Sequence, residues 1–495
     1  TRWIYDPRDR AIGIGGADGT HSFTYYDADS LPIRTIDRNG TQIDSSFDGS
    51  GRLLRRVASR LGSNLGGTSQ AVEGTTQQAF EYDGLSRLRA SSDNNRGGAD
   101  DVVCSYTYDS LSRRTSERHR FRVSASANPV FTTNNRISVT ANASTLDRSV
   151  VSEFDADSNR TALIYSSGRR LEFQRDGLDR VQRVIDQSAG ALQVVANEYV
   201  GARPIQSVSA NGVVSDFGYD AKRRITSLDH SRGGVRVAGF RYTWGRADNR
   251  ATETQLARTS AAAQTQSYTY DSAYRLTQVA FTTGRPASEY QFDGPGNWVS
   301  RTEDGARTEF NTRQDGAPGT PGAVSGSRVA DTMNEYFRLA SFDAAGAFVG
   351  EDTQTHDKNG NRIQNGEHRL FFDLFDRLVR VERVSDGVTV GNYRYDAAGR
   401  RVHKEFLNPA SGNQEEVFFV SDGAREIEEL DGAGNVIADY VYGSLYIDQV
   451  VQMRRGGQDY HLHSNSLFSV SAVTDAAGSV VERYDYGSVY GTVTA

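Results

Sequence analysis

Between Tyr393 and Phe406 the chain reads YRYDAAGRRVHKEF: ring, polar, ring, a polar turn, then polar and apolar positions alternating again. A period of two puts Tyr393 and Tyr395 on one face of a strand. Asp396 is placed to hydrogen-bond the backbone two residues on, and Gly399 supplies a positive φ. Arg400 then opens the return strand, near enough to meet the aspartate or lie over a tyrosine ring. The stretch predicts a β-hairpin.

The chain keeps rewriting it. Aromatic–Asp pairs stand at Tyr26–Asp27, Phe47–Asp48, Tyr82–Asp83, Tyr108–Asp109, Phe154–Asp155, Tyr219–Asp220, Tyr270–Asp271, Phe292–Asp293, Phe372–Asp373 and Tyr395–Asp396, and many neighbours lie 21 to 26 residues apart. Wider gaps hold degraded copies: FTTNNR at 131–136, EYVGAR at 198–203 and RYTWGR at 241–246. The residues expected to carry the repeat are Tyr26, Asp27, Tyr82, Asp83, Arg87, Tyr108, Asp109, Arg113, Tyr219, Asp220, Tyr270, Asp271, Arg275, Tyr395, Asp396, Gly399 and Arg400. The other half of a unit, DRNGTQ at 37–42 or SANGVV at 209–214, carries Asn-Gly, a strong hairpin signal. Each unit therefore predicts strand, turn, strand, turn. The fold class is all-β, a long antiparallel meander over residues 1–495.

Helical periodicity is scarce; TSAAAQTQ at 259–266 is too short to stand alone as a helix. Residues 62–78 and the Gly/Pro-rich 313–328 break the pattern and are expected to be loops or insertions, the second the most mobile internal stretch.

Composition changes the picture in three places. The 24 tyrosines and 49 glycines, against 9 prolines and 2 methionines, suit strands joined by many turns. A net charge of −7 provides no basic field for nucleic acid. Lysine occurs only at Lys222, Lys358 and Lys404 among 56 basic residues, so arginine does nearly all cationic work, through codon bias or through its planar fork. Cys104 is the lone cysteine, which excludes an intrachain disulfide. No apolar run reaches the ~18 residues of a membrane span, and TRWIYDPRDR at 1–10 does not read as a signal peptide.

Candidate chemistry is sparse. His461 and His463 share a strand face, a spacing some metal sites use, but no third ligand is suggested nearby. DKNGNR at 357–362 and DADSNR at 155–160 imitate the start of an EF-hand loop, yet both put Arg where that loop needs Gly, and both lack its twelfth-position Glu. GIGGAD at 13–18 reads as a turn. No catalytic residue, metal or cofactor is expected, and the chain is not expected to be an enzyme.

The Tyr-Asp-x-x-Gly-Arg unit, with Asn-Gly turns between copies, resembles the YD repeats of the Rhs family, also found in teneurins and insecticidal toxin complexes. The resemblance covers essentially the whole chain and implies one strip of hairpins spiralling into a hollow shell. Residues 429–495 look like the last repeats before a core-associated plug, with a departure at Ser464–Leu467; plug and toxin tail are absent from the sequence, which reads as a fragment or processed piece. What the resemblance implies is a non-catalytic casing of a secreted or cell-surface bacterial protein, holding a C-terminal toxin or effector. The alternative is an extracellular structural, adhesive or filament-forming protein without cargo. Expected partners are further parts of the same polypeptide or copies of itself, with glycans a candidate ligand class and no nucleic acid.

Overall fold

The computed structural model describes residues 2–16, 19–61, 73–95, 98–127, 136–256, 262–311 and 335–486. These residues form 41 strands and a single 3-10 turn at Gln187–Ala189; no α-helix occurs among them. Successive strands pair antiparallel with the next in sequence, as His21–Tyr26 does with Pro32–Ile36 and Thr389–Tyr395 with Arg401–Leu407. The all-β antiparallel strip expected from the alternation is the fold. The loop at 62–78 lies outside the described residues over 62–72, while Gln77 and Gln78 already belong to the strand Gln77–Tyr82. The loop at 313–328 lies wholly outside them, as does FTTNNR up to residue 135. TSAAAQTQ is described only from residue 262, and Gln264 opens the strand Gln264–Tyr270.

One turn recurs. The Asp83 N–H donates to the Arg87 carbonyl (3.0 Å) and the Ser86 N–H to the Asp83 carbonyl (3.1 Å). Tyr82 then opposes Leu88 across a one-residue register shift. This is a three-residue loop closed by a left-handed residue and a bulge. The turn after Asp396 repeats it, with Gly399 at φ 84°. The Asn-Gly turns are not a second type: Asp37 and Ser209 head the same loop, with Gly40 (φ 78°) and Gly212 (φ 80°) in the left-handed place. Asn-Gly supplies that loop's last two residues, where the sequence pattern suggested a tight two-residue hairpin. Two-residue connections do occur, as at Gly233–Gly234 between paired Arg232 and Val235.

Contacts divide the chain into two compact units, each built from separate stretches. The first comprises Thr1–Val151, Asn311–Leu339 and Asp352–Asn435. Its longest strand, Arg114–Ala127, pairs on one side with Asp101–Tyr108 and on the other with Leu146–Phe154. Val103, Phe121, Val402, Phe418 and Leu430 are buried in this unit. The second comprises Ser152–Phe310, Ala340–Glu351 and Val436–Ala495. There Leu228, Ala238, Phe240 and Tyr242 form one apolar cluster and Val213, Val237 and Ala472 another.

The left-handed position is not reserved for glycine: Ser86 (φ 64°), Arg223 (φ 72°) and Tyr274 (φ 60°) also occupy it. A residue with a Cβ there costs about 1–2 kcal/mol, partly offset because glycine loses more entropy on folding. The Tyr274 side chain is 65% exposed, so little packing is at stake. Tyr274→Gly is expected to stabilise the protein by about 0.5–1 kcal/mol and Gly399→Ala to destabilise it by about 1 kcal/mol. Urea midpoints check both.

Candidate functional site

The repeat residues assemble into a lattice. Asp83 Oδ1 accepts the N–H groups of Leu85 (2.9 Å) and Arg87 (3.0 Å), while Oδ2 accepts Arg87 Nε at 2.6 Å. Desolvation pushes the Asp83 carboxyl up, but hydrogen bonds from the Arg87 backbone and side chain hold it below its ordinary value. Arg87 then reaches the next hairpin. Its Nη1 donates to the Asp109 carbonyl (3.0 Å) and the Ser112 hydroxyl (3.2 Å), and its guanidinium lies 4.7 Å from the centre of the Tyr108 ring. The Tyr108 hydroxyl donates back to the Leu88 carbonyl at 2.8 Å. One arginine thus ties its own turn to the turn, ring and backbone of its neighbour.

The other predicted residues take the same places. Asp109–Arg113, Asp220–Arg224, Asp271–Arg275 and Asp396–Arg400 pair at 2.6–2.8 Å. Tyr26 lies under Arg10, Tyr82 under Arg52, Tyr219 under Arg203 and Tyr395 under Arg377. The Tyr270 hydroxyl donates to the Arg250 carbonyl at 3.0 Å. The turn after Asp27 has Leu31 where arginine stands elsewhere; Asp27 Oδ1 still accepts the Leu31 N–H (2.8 Å). The sequence reading left open whether the arginine meets the aspartate or a ring. It does both, and the ring belongs to the next hairpin. Arg10, Arg52, Arg180, Arg203, Arg224 and Arg377 were missed as lattice members, as was Trp244, whose indole Nε1 donates to the Ile225 carbonyl in the manner of a tyrosine (2.8 Å). An arginine four residues after a turn aspartate is the signal that finds all of these arginines but Arg203.

A second layer of polar contacts joins distant stretches inside each unit. In the first, Asn39 Nδ2 donates to Asp357 Oδ2 (2.9 Å) and Asn359 Nδ2 to Asp37 Oδ2 (2.7 Å), so two turns clasp each other. Asn95 brackets Tyr395, donating to its carbonyl (3.0 Å) and accepting its N–H (2.9 Å). Arg377 adds Asp93 (3.0 Å), and Arg400 adds the buried Glu117 (2.6 Å). In the second unit, buried Arg169 donates to Asp186 (2.8 Å), Asp439 and Gln452. Asn211 Nδ2 donates to Thr474 Oγ1 (2.7 Å) and the Asp475 carbonyl (2.8 Å).

The candidate chemical residues are absorbed into this framework. In DKNGNR, Asp357 Oδ1 accepts the N–H groups of Asn359 and Asn361, both at 2.9 Å. In DADSNR, Asp155 Oδ1 accepts the Asn159 N–H (2.8 Å). His461 and His463 are buried on one strand face, and His463 Nε2 bonds Thr474 Oγ1 (2.8 Å). Among the described residues no three His, Cys, Asp or Glu side chains are grouped to hold a metal. Cys104 Sγ lies 3.6 Å from His119 Nδ1 and 3.7 Å from Asp396 Oδ2 and Arg400 Nη2. The group imitates a thiol–imidazole pair, but desolvation drives the thiol well above its usual range, so it stays protonated. In the second unit a pocket of about 710 Å³ is lined by Gln264, Gln266, Trp244, Tyr268 and four carboxylates. Each carboxylate already has a partner: Glu253 holds Arg250, Asp304 holds Arg285, Asp248 holds Arg224, and Asp485 accepts Gln255.

No family model matches the chain. Curated relatives match parts of it. The double-stranded DNA deaminase toxin A of Burkholderia cenocepacia is 23% identical over 70% of this chain and 21% of its own length. The toxin protein Tse5 of Pseudomonas aeruginosa is 30% identical over 33% of this chain and 13% of its own. The tRNA3(Ser)-specific nuclease WapA of Bacillus spizizenii is 27% identical over 40% of this chain and 7% of its own. Among solved structures, TcdB2-TccC3-TEV superposes with a TM-score of 0.67 at 14% identity, covering 99% of this chain and 25% of that one. A Photorhabdus luminescens Tc holotoxin pore with a TccC3 variant gives 0.66, over 99% of this chain and 24% of that one. The chain spans a quarter or less of each of these proteins. Fold and lattice define a class, the β-hairpin repeat chains in which an Asp–Arg–aromatic unit links each hairpin to the next. Within that class the chain is similar to the Rhs-type YD-repeat proteins.

Two outcomes are expected. Arg400→Ala strands Asp396 and Glu117, each at most 2% exposed, and should cost about 3–5 kcal/mol in urea unfolding. Arg275→Ala, at a pair open to solvent, should cost about 1 kcal/mol or less. The second outcome concerns pH. Burial lowers the imidazoles of His230, His403 and His461 to about 4, while in the unfolded chain they titrate near 6.5. Between those values the unfolded state binds more protons, so stability should fall as pH drops from about 6.5 to about 4 and level off for these groups below that. His230→Asn should flatten part of that slope in unfolding midpoints taken across the window.

Proposed function

We propose that the chain is part of the non-catalytic casing of a polymorphic toxin: a YD-repeat shell that encloses a toxic polypeptide and carries it out of the producing bacterium or to its surface. The observation that carries this reading is the likeness of fold over 99% of the chain to TcdB2-TccC3. The relatives support it from another side. Their names assign a tRNA nuclease, a DNA deaminase toxin and a toxin, so repeats of one kind occur with more than one chemistry. A repeat common to all of them does not choose between RNA and DNA as substrate. The side-chain chemistry agrees: the turn aspartates, the buried His461 and His463 and the protonated Cys104 serve turns, lattice and packing.

A protease-sensitive polypeptide fused after Ala495 tests the proposal. The fused tail should resist digestion that destroys the same tail on an unrelated carrier, and electron micrographs should show discrete hollow particles with internal density. Cleavage of both tails at one rate would overturn the casing reading. Filaments or sheets in the micrographs would replace it with a cargo-free structural protein.

A further inference from the structure

Asn-Gly occurs four times, at 39–40, 211–212, 359–360 and 365–366. The pair carries its own reaction, because the glycine nitrogen is tethered within reach of the asparagine side-chain carbon and can close a ring on it. Three of the four are shut off by the turns they build. The N–H groups of Gly40, Gly212 and Gly360 donate to the carbonyls of Asp37 (3.1 Å), Ser209 (2.9 Å) and Asp357 (3.1 Å), so each nitrogen is engaged by a neutral acceptor. The amides that would have to leave are held as well: Asn39 Nδ2 by Asp357, Asn211 Nδ2 by Thr474 and Asn359 Nδ2 by Asp37.

Asn365–Gly366 is built the other way. It lies in the loop between the strands Arg362–Gln364 and His368–Phe372, closed by the Asn365 N–H on the His368 carbonyl (3.0 Å). Here the Gly366 N–H donates to a carboxylate oxygen, Asp352 Oδ1. Gln354 Nε2 holds the other oxygen, Oδ2, at 2.5 Å and so aims the group. Glycine suits this approach, since a Cβ on residue 366 would stand only 3.0 Å from Asp352 Oδ1. On the electrophile, Asn365 Oδ1 accepts the N–H groups of Glu367 (3.1 Å) and His368 (2.6 Å). Two backbone donors on one amide oxygen draw electrons from its carbon and stabilise the oxyanion that attack would form. Among the described residues no acceptor holds Asn365 Nδ2, and Gly366 and Glu367 are exposed, so water reaches the loop.

We propose that Asn365 is a self-modification site at which Asp352 acts as general base. The Asp352 carboxylate takes the Gly366 N–H proton, and the nitrogen forms a bond to Asn365 Cγ. The oxyanion on Oδ1 collapses, the Cγ–Nδ2 bond breaks, and ammonia leaves with the proton that Asp352 returns. A succinimide remains, and water opens it to aspartate or isoaspartate at position 365. Nothing is oxidised or reduced. Either product sets a new carboxylate beside Asp352 and Glu367, and isoaspartate also lengthens the main chain inside the loop. Arg362–Gln364 meets His368–Phe372 through the pair Gln364–Arg369 alone, so the product should loosen that hairpin. This inference is independent of the casing role.

The test follows all four asparagines of the full chain by peptide mass spectrometry during incubation at neutral pH in water carrying heavy oxygen, which marks each ring that opens. In folded protein, label should enter at Asn365 at least about tenfold faster than at Asn39, Asn211 or Asn359. In urea the four rates should converge. Asp352→Asn should slow the reaction at Asn365 several-fold in folded protein and leave its rate in urea unchanged. An inert Asn365, or equal rates at the four sites in folded protein, would overturn the proposal. A rate at Asn365 unmoved by Asp352→Asn, in a variant that unfolds at the wild-type urea midpoint, would overturn the part given to Asp352. Should that variant unfold early, Asp352→Ser with the same readouts decides the point.

Discussion

Everything in this chain depends on a guanidinium that faces two hairpins at once. A two-stranded hairpin is marginal in water, because it buries too little on one face to offset the ordering of its backbone. Arg87 uses Nε for the carboxylate of its own turn, Nη1 for a carbonyl of the next, and its flat face for that neighbour's ring. Lysine's three donors share one nitrogen and it has no plane, so it cannot span the two turns and stack on the ring at once. That gives a structural account of a chain with three lysines among 56 basic residues, whatever codon bias adds. The same pairing explains why Asp83 and Asp109 sit below their ordinary range despite partial desolvation: the charge that closes the turn is held by the arginine that leaves it.

What was legible in the sequence was local. Alternation gave the strands, and the aspartate with the left-handed position three residues on gave the turns, because both are decided within a few residues. Two things were not legible. The copies at Tyr82, Tyr219 and Tyr270 were found from their aromatic–Asp pairs, but nothing in them announced that Ser86, Arg223 and Tyr274 would take the left-handed backbone position that glycine fills elsewhere. The clasps join residues far apart in the chain, as Asn39 joins Asp357 and Arg169 joins Asp439. No short-range pattern announces such a pair. Asn39 reads from sequence as half of an Asn-Gly turn, which it is, and nothing marks its amide as the clasp for another turn.

The two kinds of polar contact divide the labour. Most lattice pairs are partly open to water and repeat many times, so each contributes modestly; Asp373–Arg377 and Asp396–Arg400, whose carboxylates are buried, are the exceptions. The clasps are buried and few: Arg169 with Asp186, and Arg400 with Glu117, cannot lose one partner without stranding the other. Repetition builds the strip, while the buried charges fix which distant stretches lie together. The buried imidazoles belong with the clasps. The His230 Nε2–H donates to the Ser464 carbonyl and its bare Nδ1 accepts the Ser215 hydroxyl, an arrangement that needs the neutral ring.

The fixed offset between arginine and ring also bears on how such a chain can change its length. In the joins of Arg10 with Tyr26, Arg87 with Tyr108 and Arg377 with Tyr395, the residue three after the arginine pairs with the residue three before the ring, so a whole unit can be duplicated or deleted and the new neighbours meet in the old register. An indel of one residue within a strand would invert every side chain beyond it, from one face of the sheet to the other. The fold is therefore tolerant of recombination between repeats and intolerant of slippage inside them. A chain that grows in this way inherits a working junction at every splice.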